Sequence, residues 1–180
     1  MERLPPQRRI RIKKKFVSKN MIVLRKPSAQ YRLFFIGGFK SENIGNIRNL
    51  SGKHGIYVAF SCKPIEGETS LECRQIVYIG KAEGTDNLMK RITEHIRDDQ
   101  KSWEEDFCGE GEFIVYCYAV FDENLHDIEA ALIYKNQPLA NVNCKDRYNG
   151  DAWFISIECV GEIGLLCSPC CAFRLVERSL

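Results

Sequence analysis

The stretch from His54 to His95 constrains this chain more than any other. HGIYVAF at 54–60 and QIVYIG at 75–80 both alternate and are rich in β-branched and aromatic residues, and a helical pattern opens after Gly84 to Asp86. Two short strands followed by a helix are therefore expected. Each strand delivers one tyrosine, Tyr57 and Tyr78. In a hairpin, opposed side chains stand roughly 4.5 to 5.5 Å apart, so the phenols converge if the register puts them on one face. On the helix, with Thr85 or Asp86 as its expected cap, Leu88, Met89, Ile92 and Ile96 form the apolar stripe. Arg91 and His95, four residues apart, share an adjoining face. A fixed cation and a titratable ring thus stand beside the strands.

Around this stretch the patterning predicts further elements. YRLFFIGGF (31–39) reads as an apolar strand closing on a Gly-Gly turn, and FIVYCYAVF (113–121) as the central strand of a sheet. The insert SCKPIEGETSLECR (61–74) reads as a solvent-exposed hairpin loop, and residues 99–112 as a loop or short helix around Trp103. Asp122 or Asn124 starts a second helix, ended by Pro138, that buries Leu125, Ile128, Leu132 and Ile133. Glu129 falls at the border of that stripe, where a carboxylate is costly unless paired or bound to a cation. The runs 152–160 and 165–177 read as extra strands or an appended subdomain.

Gly55-Ile56-Tyr57 and Tyr78-Ile79-Gly80, followed in order by Arg91, His95, Glu129 and, after Pro138, Asn141, resemble the pattern of the GIY-YIG nuclease family. The spacing departs from that pattern, because twenty residues intervene between the two tyrosines and relatives usually keep them closer. The resemblance implies an α/β fold of the α+β type: a small central antiparallel sheet flanked by helices, with a C-terminal β extension. The corresponding division is a basic arm at 1–30, a core at 31–150 and the extension at 151–180. The implied activity is metal-dependent hydrolysis of phosphodiester bonds in DNA, by an endonuclease of the free-standing restriction type that acts as a homodimer. A module of the same fold that binds nucleic acid without turnover is the alternative.

The resemblance also implies roles. Glu129 holds Mg²⁺ (or Mn²⁺), with water and phosphate oxygens completing a shell that suits so hard a cation. Tyr57 takes the proton of the attacking water, Tyr78 positions that water or the phosphate, and Arg91 binds the non-bridging oxygens. His95 is the other candidate base, accepting a proton from Tyr57. Lys81, directly after the second tripeptide, adds positive charge near the phenols, and Asn141 positions backbone or substrate.

Charge supports a polyanionic partner. Residues 1–40 hold twelve Lys or Arg against Glu2 alone, a net +11, whereas the remainder sums to −9. Arg8, Arg9, Arg11, Lys13, Lys14 and Lys15 are the expected phosphate contacts, and binding through them would be steeply salt-dependent. No apolar run approaches the roughly 20 residues that span a bilayer, and the N-terminus lacks a secretory apolar core. A cytoplasmic protein, or a nuclear one in a eukaryote, is expected, with its nine cysteines reduced. Cys167, Cys170 and Cys171 form half a zinc site at most, and Cys62 and Cys73 flank the insert too far apart for a zinc knuckle.

Overall fold

The computed structural model describes residues 27–43 and 50–174. Residues 1–26 of the expected 1–30 arm, with Arg8, Arg9, Arg11, Lys13, Lys14 and Lys15, lie outside the described residues, and its last two positions, Ala29 and Gln30, belong to β1. A mixed six-stranded sheet organises the chain, built from β1 (Ala29–Lys40), β2 (Gly55–Pro64), β3 (Leu71–Ala82), β4 (Phe113–Val120), β5 (Phe154–Gly161) and β6 (Cys170–Phe173). Its spatial order is β3-β2-β4-β1-β5-β6. Among the described residues three helices complete the fold: α1 (Leu88–Asp98), α2 (Gln100–Phe107) and α3 (Leu125–Asn136).

The purely antiparallel sheet expected from sequence is corrected to a mixed one, because β1 runs parallel to β5 while every other pair is antiparallel. Period-2 alternation fixes which face a residue takes, not the direction of the neighbouring strand. Strand β2 lies between β3 and β4 and is covered on both faces, which is why Gly55–Cys62 is buried throughout. Its even positions, Ile56, Val58, Phe60 and Cys62, join Leu125, Ile128 and Leu132 of α3 in one core. Tyr57 and Ala59 point the other way, into a second core with Leu88 and Ile92 of α1 and Trp103 of α2. Each fully buried apolar side chain of this kind contributes about 1.5 to 3 kcal/mol. Helices α1 and α2 cover only the β3-β2-β4 half of their face, so on β1 Phe34 is 64 % exposed while Phe35 is fully buried.

Three local expectations are corrected. The Gly37-Gly38 pair does not end a strand. β1 continues to Lys40 through an irregularity between Ile36 and Phe39, and a Cβ on Gly37 would stand 2.0 Å from the Cys117 sulfur. The 61–74 insert is not all loop, since β2 and β3 extend into it and pair Cys62 with Cys73, leaving only residues 65–70 as the turn. Helix α1 is capped by Asn87, whose side chain accepts from the Lys90 amide, not by Thr85 or Asp86. Asn124 stands at the N-cap of α3, one of the two positions expected to start that helix, but in a left-handed conformation without a side-chain cap bond, its amide donating instead to the Tyr31 hydroxyl.

The residues after α3 seal the outer edge of β3. The Leu139 and Ala140 amides donate to Ile76 and Val77 carbonyls at 3.1 and 2.8 Å, occupying groups that would otherwise invite another chain. At the other side β5 and β6 extend the same sheet, with 165–169 forming a turn and not the strand expected there. No helix among the described residues is long and apolar enough to cross a membrane.

Candidate active site

Register brings the two tyrosines together. Tyr57 is opposite Gly80, and Tyr78 is opposite Ala59, so the phenols are diagonal neighbours on one face, with ring centroids 6.1 Å apart. The space over Gly80 is filled by Tyr57: a Cβ there would stand 2.4 Å from the Tyr57 hydroxyl and 2.8 Å from Tyr78 Cε1. The glycine of the second tripeptide is therefore required by the tyrosine of the first.

Helix α1 lies across these strands, and burying Leu88 and Ile92 turns His95 inward to 8 % exposure. Tyr57 Oη and His95 Nε2 are 2.9 Å apart, and His95 Nδ1 and Asp99 Oδ2 are 2.6 Å apart. A carboxylate can only accept, so Nδ1 carries the ring proton and Nε2 offers its lone pair. The Tyr57 hydroxyl then donates to His95, and its oxygen lone pairs face the Arg91 guanidinium as acceptors. Tyr78 and Trp103 flank the imidazole at centroid distances of 4.7 and 5.1 Å. Burial holds the His95 pKa below its ordinary value, against the opposing pull of Asp99, and it pushes both phenols up. On Tyr57 the nearby Tyr78 acts in the same direction, while the Arg91 guanidinium acts against it.

Strand β3 is the outermost strand, so side chains from α1 on one face and α3 on the other can meet past its edge. They do so in a cleft of about 300 Å³ lined by Tyr57, Tyr78, Lys81, Glu83, Asp86, Arg91 and Glu129. Arg91 Nη1 donates to Glu94 Oε2 at 2.7 Å, and Lys81 pairs with Glu83. The Glu129 carboxyl is held above its usual range by burial, opposed by Lys81 and His126.

Of the residues expected from sequence, Tyr57, Tyr78, Lys81, Arg91 and Glu129 share this cleft, and His95 stands directly behind Tyr57. Asn141 does not face the cleft chemically. Its Oδ1 accepts from the Ile79 amide and its Nδ2 donates to the Ile79 carbonyl, both at 2.9 Å, so it fixes the middle residue of the second tripeptide. Sequence reasoning missed Asp99, although an acid four residues after a helical histidine is a readable signal. It also missed Glu83 and Asp86.

Three carboxylates and two cations line the cleft, a balance that disfavours a phosphate unless further positive charge enters. The half-buried Glu129 carboxylate offers hard oxygen donors, which fits one Mg²⁺ or Mn²⁺. Among the described residues no three His, Cys, Asp or Glu side chains converge as a ready-made metal cage, so water and substrate would supply most of the shell. The cysteine cluster near the C-terminus likewise consists of free thiols, with Cys170 buried and Cys167 exposed. No family model, curated protein or solved structure matches the chain.

Proposed function

We propose that this protein is a divalent-cation-dependent DNA endonuclease of the GIY-YIG type. The reading rests above all on the Tyr57–His95–Asp99 hydrogen-bond chain, which backs onto a cleft shared by Tyr78, Arg91 and Glu129. A phenol oxygen with its proton already committed to a neutral imidazole is arranged to accept another from water. Water attacking phosphorus gives its proton to Tyr57 Oη as Tyr57 passes its own to His95 Nε2. The imidazolium so formed is stabilised by Asp99, and the bond from phosphorus to the 3′ oxygen breaks. Tyr78 orients the water or phosphate at the cleft wall, and Arg91 meets the negative charge building on the non-bridging oxygens. A cation held by Glu129 would supply Lewis acidity toward the phosphate and the leaving oxygen. Lys81 adds positive charge at the same wall, and Asn141 keeps Tyr78-Ile79-Gly80 in place.

The relay also offers a way around the raised phenol pKa. Tyr57 need not exist as a phenolate before reaction, because its proton leaves as the new one arrives.

A second reading, a nucleic-acid-binding module of the same fold without turnover, draws on the burial of Tyr57, which is 1 % exposed. Plasmid DNA incubated with the protein and Mg²⁺ separates the two. The nuclease reading expects nicking that disappears in Tyr57→Phe and Glu129→Ala while DNA binding persists. Binding without cleavage by the unaltered protein would overturn it in favour of the module.

A further inference from the structure

Away from the cleft, the β2–β3 hairpin brings two of the nine thiols into contact. Cys62 and Cys73 are direct partners in the antiparallel ladder, and their sulfurs are 3.4 Å apart, with Cys62 Sγ donating to Cys73 Sγ. Opposed residues in such a ladder have Cα atoms about 4.5 or 5.5 Å apart, inside the roughly 4.4 to 6.8 Å that a disulfide spans. The register shifts between Ser61 and Cys62, but the Cys62–Cys73 pair itself stays in the ladder, so forming the bond needs a side-chain movement and no re-pairing of the strands. We infer that Cys62 and Cys73 are a covalent modification site, a dithiol that closes to a cross-strand disulfide by exchange with a small-molecule disulfide such as glutathione disulfide.

The two sulfurs have different roles. Cys62 is 1 % exposed, and Cys73 is half-buried. Both line a cavity of about 420 Å³ with Thr69, Ser70, Leu71 and Glu162 among its walls. The hydrogen bond from Cys62 lowers the Cys73 pKa, with burial and Glu162 opposing, and the same bond raises that of Cys62. Cys73 is thus the sulfur that reacts first. Its thiolate attacks one sulfur of glutathione disulfide, forming a protein–glutathione bond and releasing one glutathione thiolate. Cys62 then loses its proton, attacks the Cys73 sulfur and expels the second glutathione. Two protein thiols are oxidised to one disulfide while glutathione disulfide is reduced to two thiols, and the two protons end on the released glutathiones.

Cys117 lines the same cavity but is not the partner. It is opposite Val58 on β2, four residues from Cys62 and so about 13 Å along the strand. The inference stands whether or not the protein cleaves DNA.

The test is to treat the reduced full-length protein with glutathione disulfide, alkylate the remaining thiols and map the peptides without reduction. The expected product has lost two hydrogens, carries a single Cys62–Cys73 crosslink with the other seven cysteines alkylated, and reverts with dithiothreitol. In Cys62→Ser, Cys73 should instead retain one glutathione. In Cys73→Ser, Cys62 should remain a free thiol. The inference is overturned if oxidised protein of native sequence keeps both thiols alkylatable, holds glutathione stably on Cys73, or forms its first crosslink elsewhere. The mapping of the native sequence decides the matter even if a serine variant does not fold.

Discussion

Replacing Asp99 by asparagine isolates the contribution of the carboxylate behind His95. The 2.6 Å contact to His95 Nδ1 is a hydrogen bond to a charged group, a class worth about 1.5 to 3 kcal/mol net. The Asp99 side chain is 44 % exposed, so solvent screening reduces this to about 1 to 1.5 kcal/mol. If that stabilisation is realised when His95 becomes cationic, the cleavage rate at saturating Mg²⁺ falls about five- to thirteenfold. KM should hardly change, because Asp99 does not line the cleft. The pH dependence adds a sign. In the proposed relay His95 is the neutral acceptor, and Asp99 raises its pKa against the downward push of burial. Asp99→Asn would let that pKa fall further, moving the acid limb of kcat to lower pH even as the plateau drops. A labelled-duplex cleavage assay across pH reads both, and an NMR titration of the His95 ring in metal-free protein reads the second without activity. An unchanged plateau, or an acid limb displaced upward, would refute the relay.

Other perturbations probe the scaffold around it. Gly80→Ala forces a Cβ against the buried Tyr57 ring. It should cost about 1 to 3 kcal/mol of stability in denaturant melts and abolish cleavage by displacing the Tyr57 hydroxyl from His95. Asn141→Ala strands the buried amide and carbonyl of Ile79. About 2 to 4 kcal/mol of unfolding free energy should go with them, and a midpoint equal to that of the unaltered protein would contradict the structural role. Glu129→Gln should inactivate the protein yet raise its melting temperature at neutral pH. Since the folded-state pKa of Glu129 lies above its ordinary 4.5, the native carboxyl binds its proton more tightly than the unfolded one. Stability is lost as pH rises through the folded value, so the advantage of Gln should vanish in acid. Added Mg²⁺ should raise the melting temperature of the native sequence and leave Glu129→Gln unmoved.

The parts of this fold that were legible in sequence are those written in local periodicity. Alternation in 54–60 and 75–80 located β2 and β3, the 113–121 run located β4, and the stripe Leu88-Ile92 set the face of α1. Glu129 could be singled out because a carboxylate at the edge of an apolar stripe is an anomaly. What sequence hid depends on pairing between distant residues. The 61–74 insert looked polar enough for a loop because Pro64 and Gly67 dominate the eye, yet the ladder carries on to Pro64 and resumes at Leu71. Gly37 read as a turn residue, but a close approach to Cys117 is what excludes a side chain there. Asn141 reads in sequence as a positioner of backbone or substrate, and only its bonds to Ile79 on β3 say what its amide holds. The i, i+4 spacing of His95 and Asp99 is local, but that it matters depends on the packing of α1 against the sheet, which buries the histidine and leaves Asp99 as the partner of its Nδ1.

The placement of β1 has a bearing on how the chain reaches this state as it leaves the ribosome. The Ala29–Lys40 segment emerges before β2 and β3, which can zip together at once across a short turn. Its own neighbours, β4 and β5, are made only much later, the register tying Ala29 to Ile155. An apolar ribbon bearing Leu33, Phe34, Phe35 and Ile36 must therefore wait unpaired until β4 emerges, and with its other edge open until residues 154–161 have been synthesised. Translation speed past residue 150, and any chaperone that shelters an early hydrophobic strand, should govern the yield of native protein more strongly than substitutions in the hairpin that closes first.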